Sequence, residues 1–396
     1  MWRNMLKQES EHQWIAIAGF FVFIIVGAIF IKGTSHLPGI DLIDNELGGQ
    51  YRIMDSKYTD EDNYYMHTYT NNGYQFIAVE EGEIDVLIDS NSDIDTSSIS
   101  GISLIDNGSV VIANGQTDAY IVTNSIVSNF NVNFGIESFS VSHLEQSNDH
   151  MDRYLMITKE NANRQGLRGL NTSGITSSST PNDEDVRWQN IAHVSDGKWI
   201  VTGTYNTPVT SGDQSPAAPE IKPAWATILW DGGHTAPMVE SIKIGPFGEY
   251  HSIINLNDNN IIIAGTHETI LLNHESGESE NIDYSSSAAL SDDCNSAWLF
   301  NGKDSNSVLR FKGTSWDFEE LPHEIPIDIE ATGFDGNTIY LHGIDENGNS
   351  KTLIFDTSAI GSIESGSGFI NLTFIIVSCI MFSIMAINIL DKFRKK

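Results

Sequence analysis

Cysteine is nearly absent from these 396 residues: Cys294 and Cys379 are the only two. Cys379 falls inside a long apolar run, so the two do not pair within one chain, and no disulfide framework staples the fold. The chain has to be held together by its hydrophobic core. Cys294 flanks a strand-like run, which favours its burial. Basic residues are scarce as well, 21 Lys and Arg against 53 Asp and Glu, for a formal net charge of −32. A surface of that sign repels nucleic acid and anionic headgroups, and it keeps an exported protein soluble. Between the two ends of the chain no stretch carries a long amphipathic helical pattern. The chain also lacks the compact motifs that announce chemistry. There is no P-loop, no G-x-G-x-x-G, no G-x-S-x-G elbow and no H-E-x-x-H, and its 12 histidines are scattered. The sequence therefore indicates no catalytic set, no metal site and no cofactor.

Long apolar runs occur only at the ends. Trp14–Ile31 and Phe369–Leu390 contain no charged residue. At about 1.5 Å per residue they reach about 27 and 33 Å, enough to cross a hydrocarbon core of about 30 Å. The second run is followed by DKFRKK, a basic cluster that stays cytoplasmic. The first is longer than a signal-peptide core and lacks a clear cleavage site, so it reads as an uncleaved anchor. Two transmembrane helices are predicted, with both termini in the cytoplasm and the segment between them outside the plasma membrane. The expected organisation is a cytoplasmic N-terminus (1–13), helix (14–31), linker (32–49), extracytoplasmic domain (50–357), linker (358–368), helix (369–390) and basic tail (391–396). The acidity belongs to the middle, where residues 33–368 hold 14 basic and 50 acidic side chains.

That middle repeats itself. SDGKWIVTG (195–203) is echoed by DNGSVVIANG (106–115), DNNIIIAG (258–265) and DGNTIYLHG (335–343). Each phrase is a turn pair, a burst of apolar residues and a small residue. Asp-Gly and Asn-Gly supply the positive φ that two-residue hairpin turns need, and an all-apolar burst suits a strand buried on both faces. Anchors at Gly115, Gly203, Gly265, Gly302 and Gly343, with Thr158 midway in the longest interval and Val79 upstream, count seven units of roughly 35–45 residues. The polar, Pro- and Gly-containing stretch 206–223 is extra and reads as a loop. Short strands at this period predict an all-β, seven-bladed β-propeller. The last unit supplies only three strands, so the N-terminal strand QYRIMDS (50–56) is expected beside 352–356 as the fourth, closing the ring. Both chain ends then leave from one blade, with that face toward the membrane and the 206–223 loop on the far face.

On this repeat, residues 51–357 resemble the β-propeller superfamily, of the irregular Kelch-, WD- and BNR-like kind. The resemblance lies in repeat geometry. No Kelch Gly-Gly pair follows a second strand, and SDDCNSAW (291–298) only imitates the sialidase-type Asp box, so no family residues carry over. Asp89, Asn91, Asp93 and Asp95 alternate as in the start of a calcium loop, but Ile94 and Ser100 replace the glycine and glutamate such a loop needs, leaving an acidic turn. His193, on an inner strand, is a candidate for the channel wall. The face opposite the membrane holds the remaining candidates: Arg187, Trp188, Tyr205 and His267, a charged and aromatic mix suited to binding. The reading is a surface-displayed binding or scaffolding module for an extracellular or membrane protein or a glycan. The alternative is an extracytoplasmic hydrolase or lyase working at the channel mouth.

Overall fold

The computed structural model describes residues 19–25, 27, 40–44, 47, 49–60, 63–105, 108–113, 119–130, 140–161, 164–171, 175–180, 185–195, 197–207, 220–256, 259–292, 294–321, 324–357 and 373–383. It divides into two units, the β-structure and a smaller unit that holds two helical segments. The described strands form seven four-stranded sheets, each ordered as a meander except for the blade that closes the ring. The inner strands of blades 1 to 7 are Arg52–Asp60, Gly101–Leu104, Ser140–Gln146, Val186–Ser195, Tyr250–Asn255, Ala288–Ser291 and Asp328–Asp335. Blade 4 follows the sequence reading closely, with Lys198–Asn206, Ile221–Leu229 and Met238–Ile244 completing it.

The apolar bursts are buried for the reason their composition suggests. In blade 4, Trp199 and Val201 pack toward Leu155 and Leu167 of blade 3, while Ile200 between them packs toward Tyr250 and Ile261 of blade 5. Val111 and Val110 of blade 2 divide in the same way between blades 3 and 1. A second strand therefore has no solvent face, and the period-two alternation of an ordinary antiparallel strand disappears. At about 1.5–3 kcal/mol for each fully buried large apolar side chain, these wedges between blades are the main stabilising term. The turn glycines Gly108, Gly197 and Gly336 take positive φ, as the phrase requires, and Asn259 and Asn295 take it in blades 5 and 6.

The small residue that ends the phrase has a different role from the one its position suggests. Gly203 and Gly343 lie inside their strands, opposite a β-bulge in the inner strand of the same blade. A Cβ at Gly203 would overlap the carbonyl oxygen of Arg187, and one at Gly343 that of Asp328. The bulge pushes a backbone carbonyl toward the second strand, and only a residue without a side chain leaves room there. The same register break faces Gly265, Thr158 and Thr68. The two threonines sit at the site by hydrogen-bonding across to the third strand.

Thr68 marks where the sequence reading slipped. Asn72-Gly73 joins the second and third strands of blade 1, whereas Gly197 lies between the first and second strands of blade 4. The unit expected at the Val79 anchor is therefore one strand out of phase with the others. The anchor of blade 1 is Thr68 and not Val79, and 52–60 is its inner strand and not a surplus one. The closing strand is Ile40–Asp44, from the stretch expected to be linker, and it pairs beside Ser350–Asp356 in blade 7. Closure by an N-terminal strand holds, with a different strand from the one expected at 50–56.

The smaller unit is described only in part. Residues 19–25 and 373–383 are helical and lie within the two apolar runs; the remainder of both runs falls outside the described residues or, at residue 27, continues the first helix. Among the described residues no helix is long and apolar enough to cross a membrane, so the spanning helices expected at 14–31 and 369–390 are not supported by them. The two segments do touch: the Phe23 and Phe374 rings lie 5.2 Å apart, and Phe374 covers the space where a side chain at Gly27 would stand.

Candidate functional site

Two places in the propeller gather functional groups. The first is the upper face, where inner strands begin and where loops join second to third strands and one blade to the next. Arg187, Trp188 and Tyr205 stand together at the upper edge of blade 4, with Val186 opposite Tyr205 and Arg187 opposite Thr204. Trp188 is buried in the wedge between blades 3 and 4, and Tyr205 packs against the same wedge. Trp188 thus packs in the wedge and offers little surface. Arg187 donates from Nη1 to the carbonyl of Val186 at 3.0 Å.

His267 belongs to a separate group in blade 5. Its ring lies 3.5 Å, centroid to centroid, from that of Phe247, which is 55% exposed. Phe247 sits in the connection from blade 4 to blade 5, a segment fixed on both sides. Gly245 N–H donates to the Pro223 carbonyl, Glu249 N–H to Thr266 Oγ1, and Thr266 N–H to the Glu249 carbonyl. Below it the Tyr250 hydroxyl donates to Glu268 Oε1 at 2.6 Å, and Asn281 donates to the other oxygen. Pro223 is in the strand Ile221–Leu229, so the loop expected at 206–223 is shorter at both ends, and its base is closed by Thr207 donating to the Glu220 carbonyl. Residues 208–219, the tip of that loop, lie outside the described residues. Phe247 escaped the sequence reading, although a phenylalanine between Pro246 and Gly248 in a polar connection has no core to fill, and that was its signal.

The second place is the central channel, a cavity of about 490 Å³ lined by all seven inner strands. Its titratable lining groups are Lys57, Tyr58, His143, Glu145 and His251. Burial, with the Lys57 charge adding to it, lowers His143 to about 4, so its ring is neutral at physiological pH. Burial raises Glu145 to about 7, against the opposing effects of Lys57 and a hydrogen bond from Ser103. His251 is also lowered by burial. Its Nε2 lies 2.9 Å from the Ser286 carbonyl, which can only accept, so Nε2 carries the proton and Nδ1, 3.0 Å from Ser252 Oγ, accepts from that hydroxyl.

Other expected features resolve locally. His193 does not face the channel. It is 3% exposed, bonds Ser147 Oγ and the Asn148 N–H, and packs on Trp199. Cys294 is exposed, not buried. Within SDDCNSAW, Asp292 accepts from the N–H groups of Cys294 and Ser296 and from Trp298 Nε1, and Asn295 takes positive φ. Asp89 and Asp95 accept hydrogen bonds from their own turn residues Asn91, Ser92, Ser97 and Ser98, which lowers both carboxyls.

No family model matches the chain, and no curated protein matches its sequence. Solved structures do match the fold. It is similar to virginiamycin B lyase from Staphylococcus aureus, at 13% identity and a TM-score of 0.51 over 80% of this chain and 98% of that one. A puromycin-hydrolyzing peptidase from Mycobacterium tuberculosis gives 11% and 0.56, over 78% of this chain and 52% of the peptidase. YCF48 bound to a D1 peptide gives 14% and 0.50, over 80% and 97%. At these identities the likeness is one of fold, and with the seven sheets it makes this chain a seven-bladed β-propeller protein.

Proposed function

We propose that this chain is a binding module: a membrane-anchored, extracytoplasmic propeller whose upper face, at blades 4 and 5, takes a segment of a protein partner. The observation that carries the reading is Phe247, a large exposed aromatic held rigid by its neighbours beside the 206–223 loop. A pre-ordered aromatic costs little entropy on binding, and such residues dominate interface energies. His267 belongs to the same strip. The anchoring rests on the two uncharged runs at 14–31 and 369–390, and the Phe23–Phe374 contact favours their lying side by side. The basic tail favours a two-pass arrangement in the plasma membrane, both termini inside. YCF48 with its bound peptide is a precedent for a propeller of this fold holding a chain segment.

The test is site-specific photocrosslinking in native membranes, with the crosslinker at Phe247 and, as control, at Ile126 on the outer strand of blade 2. A partner adduct is expected at 247 and not at 126. The same adducts at both positions, or none at 247, would overturn the reading.

The second reading, a hydrolase at the channel mouth, has the His251–Ser252 pair in its favour: a hydroxyl on a ring nitrogen whose tautomer is set by a carbonyl is how a serine nucleophile is primed. Labelling of Ser252 by a fluorophosphonate, lost in Ser252→Ala, would support it, and an unlabelled wild-type chain would remove it.

A further inference from the structure

Lys57 and Glu145 occupy equivalent places in different blades. Counting from the bulge anchors, each pairs with the residue three before the anchor: Lys57 with Tyr65, and Glu145 with Leu155. Ala192, Ile254 and Gly333 hold the same place in blades 4, 5 and 7. The five therefore form one level around the channel, with two small residues leaving room and one cation and one carboxyl facing inward two blades apart. No ion pair joins them, and among the described residues Lys57 has no hydrogen-bond or ion-pair partner. Lys57 acts on Glu145 only through space, so while that carboxyl holds its proton the ammonium's attraction for an anion is unspent, in a molecule whose net charge of −32 repels anions elsewhere.

We propose that this level of the channel binds a small organic carboxylate, its carboxylate group between Lys57 and the Glu145 carboxyl and its apolar body against Ile102, Leu104 and Ile253. The proposal is independent of the upper-face reading. Its chemistry follows from the groups present. With Glu145 protonated, the level carries one positive charge and a carboxylic O–H to donate; with Glu145 ionised, the two charges neutralise each other, the donor is lost, and a carboxylate ligand has no net attraction to the level. Nothing else there switches near neutrality. His143 and His251 are held neutral by burial, and blades 2, 4, 6 and 7 contribute only uncharged lining side chains. Asp55, on the same strand as Lys57, is tied to the N–H groups of Ser56 and Ile102. Binding is therefore linked to retention of the Glu145 proton, and affinity weakens as pH rises through about 7.

The experiment is titration calorimetry on the full chain in detergent with acetate and phenylacetate, both ionised throughout the range, and phenylacetamide as the uncharged control. For a carboxyl titrating near 7, binding at pH 8 is expected to be about ten-fold weaker than at pH 6. Glu145→Gln should bind equally at both pH values. Lys57→Met should lose at least ten-fold, with Lys57→Arg retaining binding to show that the site still folds. Absence of saturable carboxylate binding, equal binding of phenylacetamide, or a Glu145→Gln chain that keeps the ten-fold change would each overturn the proposal.

Discussion

Acid should loosen the seam where the ring closes, and His342 is the reason. It lies on the second strand of blade 7, 1% exposed, with Nδ1 2.9 Å from Thr352 Oγ1 and Nε2 3.2 Å from the Tyr58 hydroxyl of blade 1. Tyr58 stacks on Tyr340 at 4.9 Å and 7°, so the histidine is part of the aromatic joint between the last blade and the first. Burial lowers its protonation to about 3, against about 6.5 in an unfolded chain. A group depressed in the folded state costs nothing above its unfolded value, and the penalty grows as pH falls toward its folded value. At 1.36 kcal/mol per unit, the loss is about 2 kcal/mol at pH 5 and at most about 5 kcal/mol by pH 3. His342→Gln removes the titration while keeping a polar side chain. Urea unfolding of the full chain in detergent, followed by tryptophan fluorescence at pH 7 and pH 5, isolates the term. The many carboxylates contribute equally to both proteins, so the wild type should lose about 2 kcal/mol more than the variant. Equal losses would refute the assignment.

Two further substitutions test the blade construction. Gly203→Ala places a methyl group on the Arg187 carbonyl at the bulge, and should cost about 3 kcal/mol or more, seen as a lowered Tm. Gly49→Ala, with open space around it, is the control and should melt unchanged. Asp292→Ala strips hydrogen bonds from two turn N–H groups and from the buried Trp298 indole, and should cost about 2–4 kcal/mol by denaturant unfolding; a change below about 0.5 kcal/mol would show that water replaces the carboxylate.

The sites were less legible than the fold. Trp188 and Tyr205 have the composition of a binding patch, but a tryptophan on an inner strand fills a wedge between blades as readily as it meets a partner. Composition does not separate the two. Phe247 carried the better signal, an aromatic with no burst around it. Lys57 and Glu145 lie 88 residues apart, the interval between Gly115 and Gly203. Charged residues separated by whole repeats mark one level of a channel, and that spacing was there to be read.

The number of blades could be read from the sequence alone. Blades 2, 4, 5, 6 and 7 each turn from first to second strand through a glycine or asparagine at positive φ, and the second strands are buried on both faces, so similar residues recur. Phase could not be read, because a hairpin turn looks alike whether it joins the first two strands or the next two. Asn72-Gly73 and Asp196-Gly197 differ only in what surrounds them. Nor could the closing strand, since Ile40–Asp44 is five residues in a polar stretch and only the open edge of Ser350–Asp356 recruits it. The small residue at the end of each phrase is visible in the chain, but its reason is not. A glycine at 203 is required by the Arg187 carbonyl, and that carbonyl arrives there only once the bulge has formed.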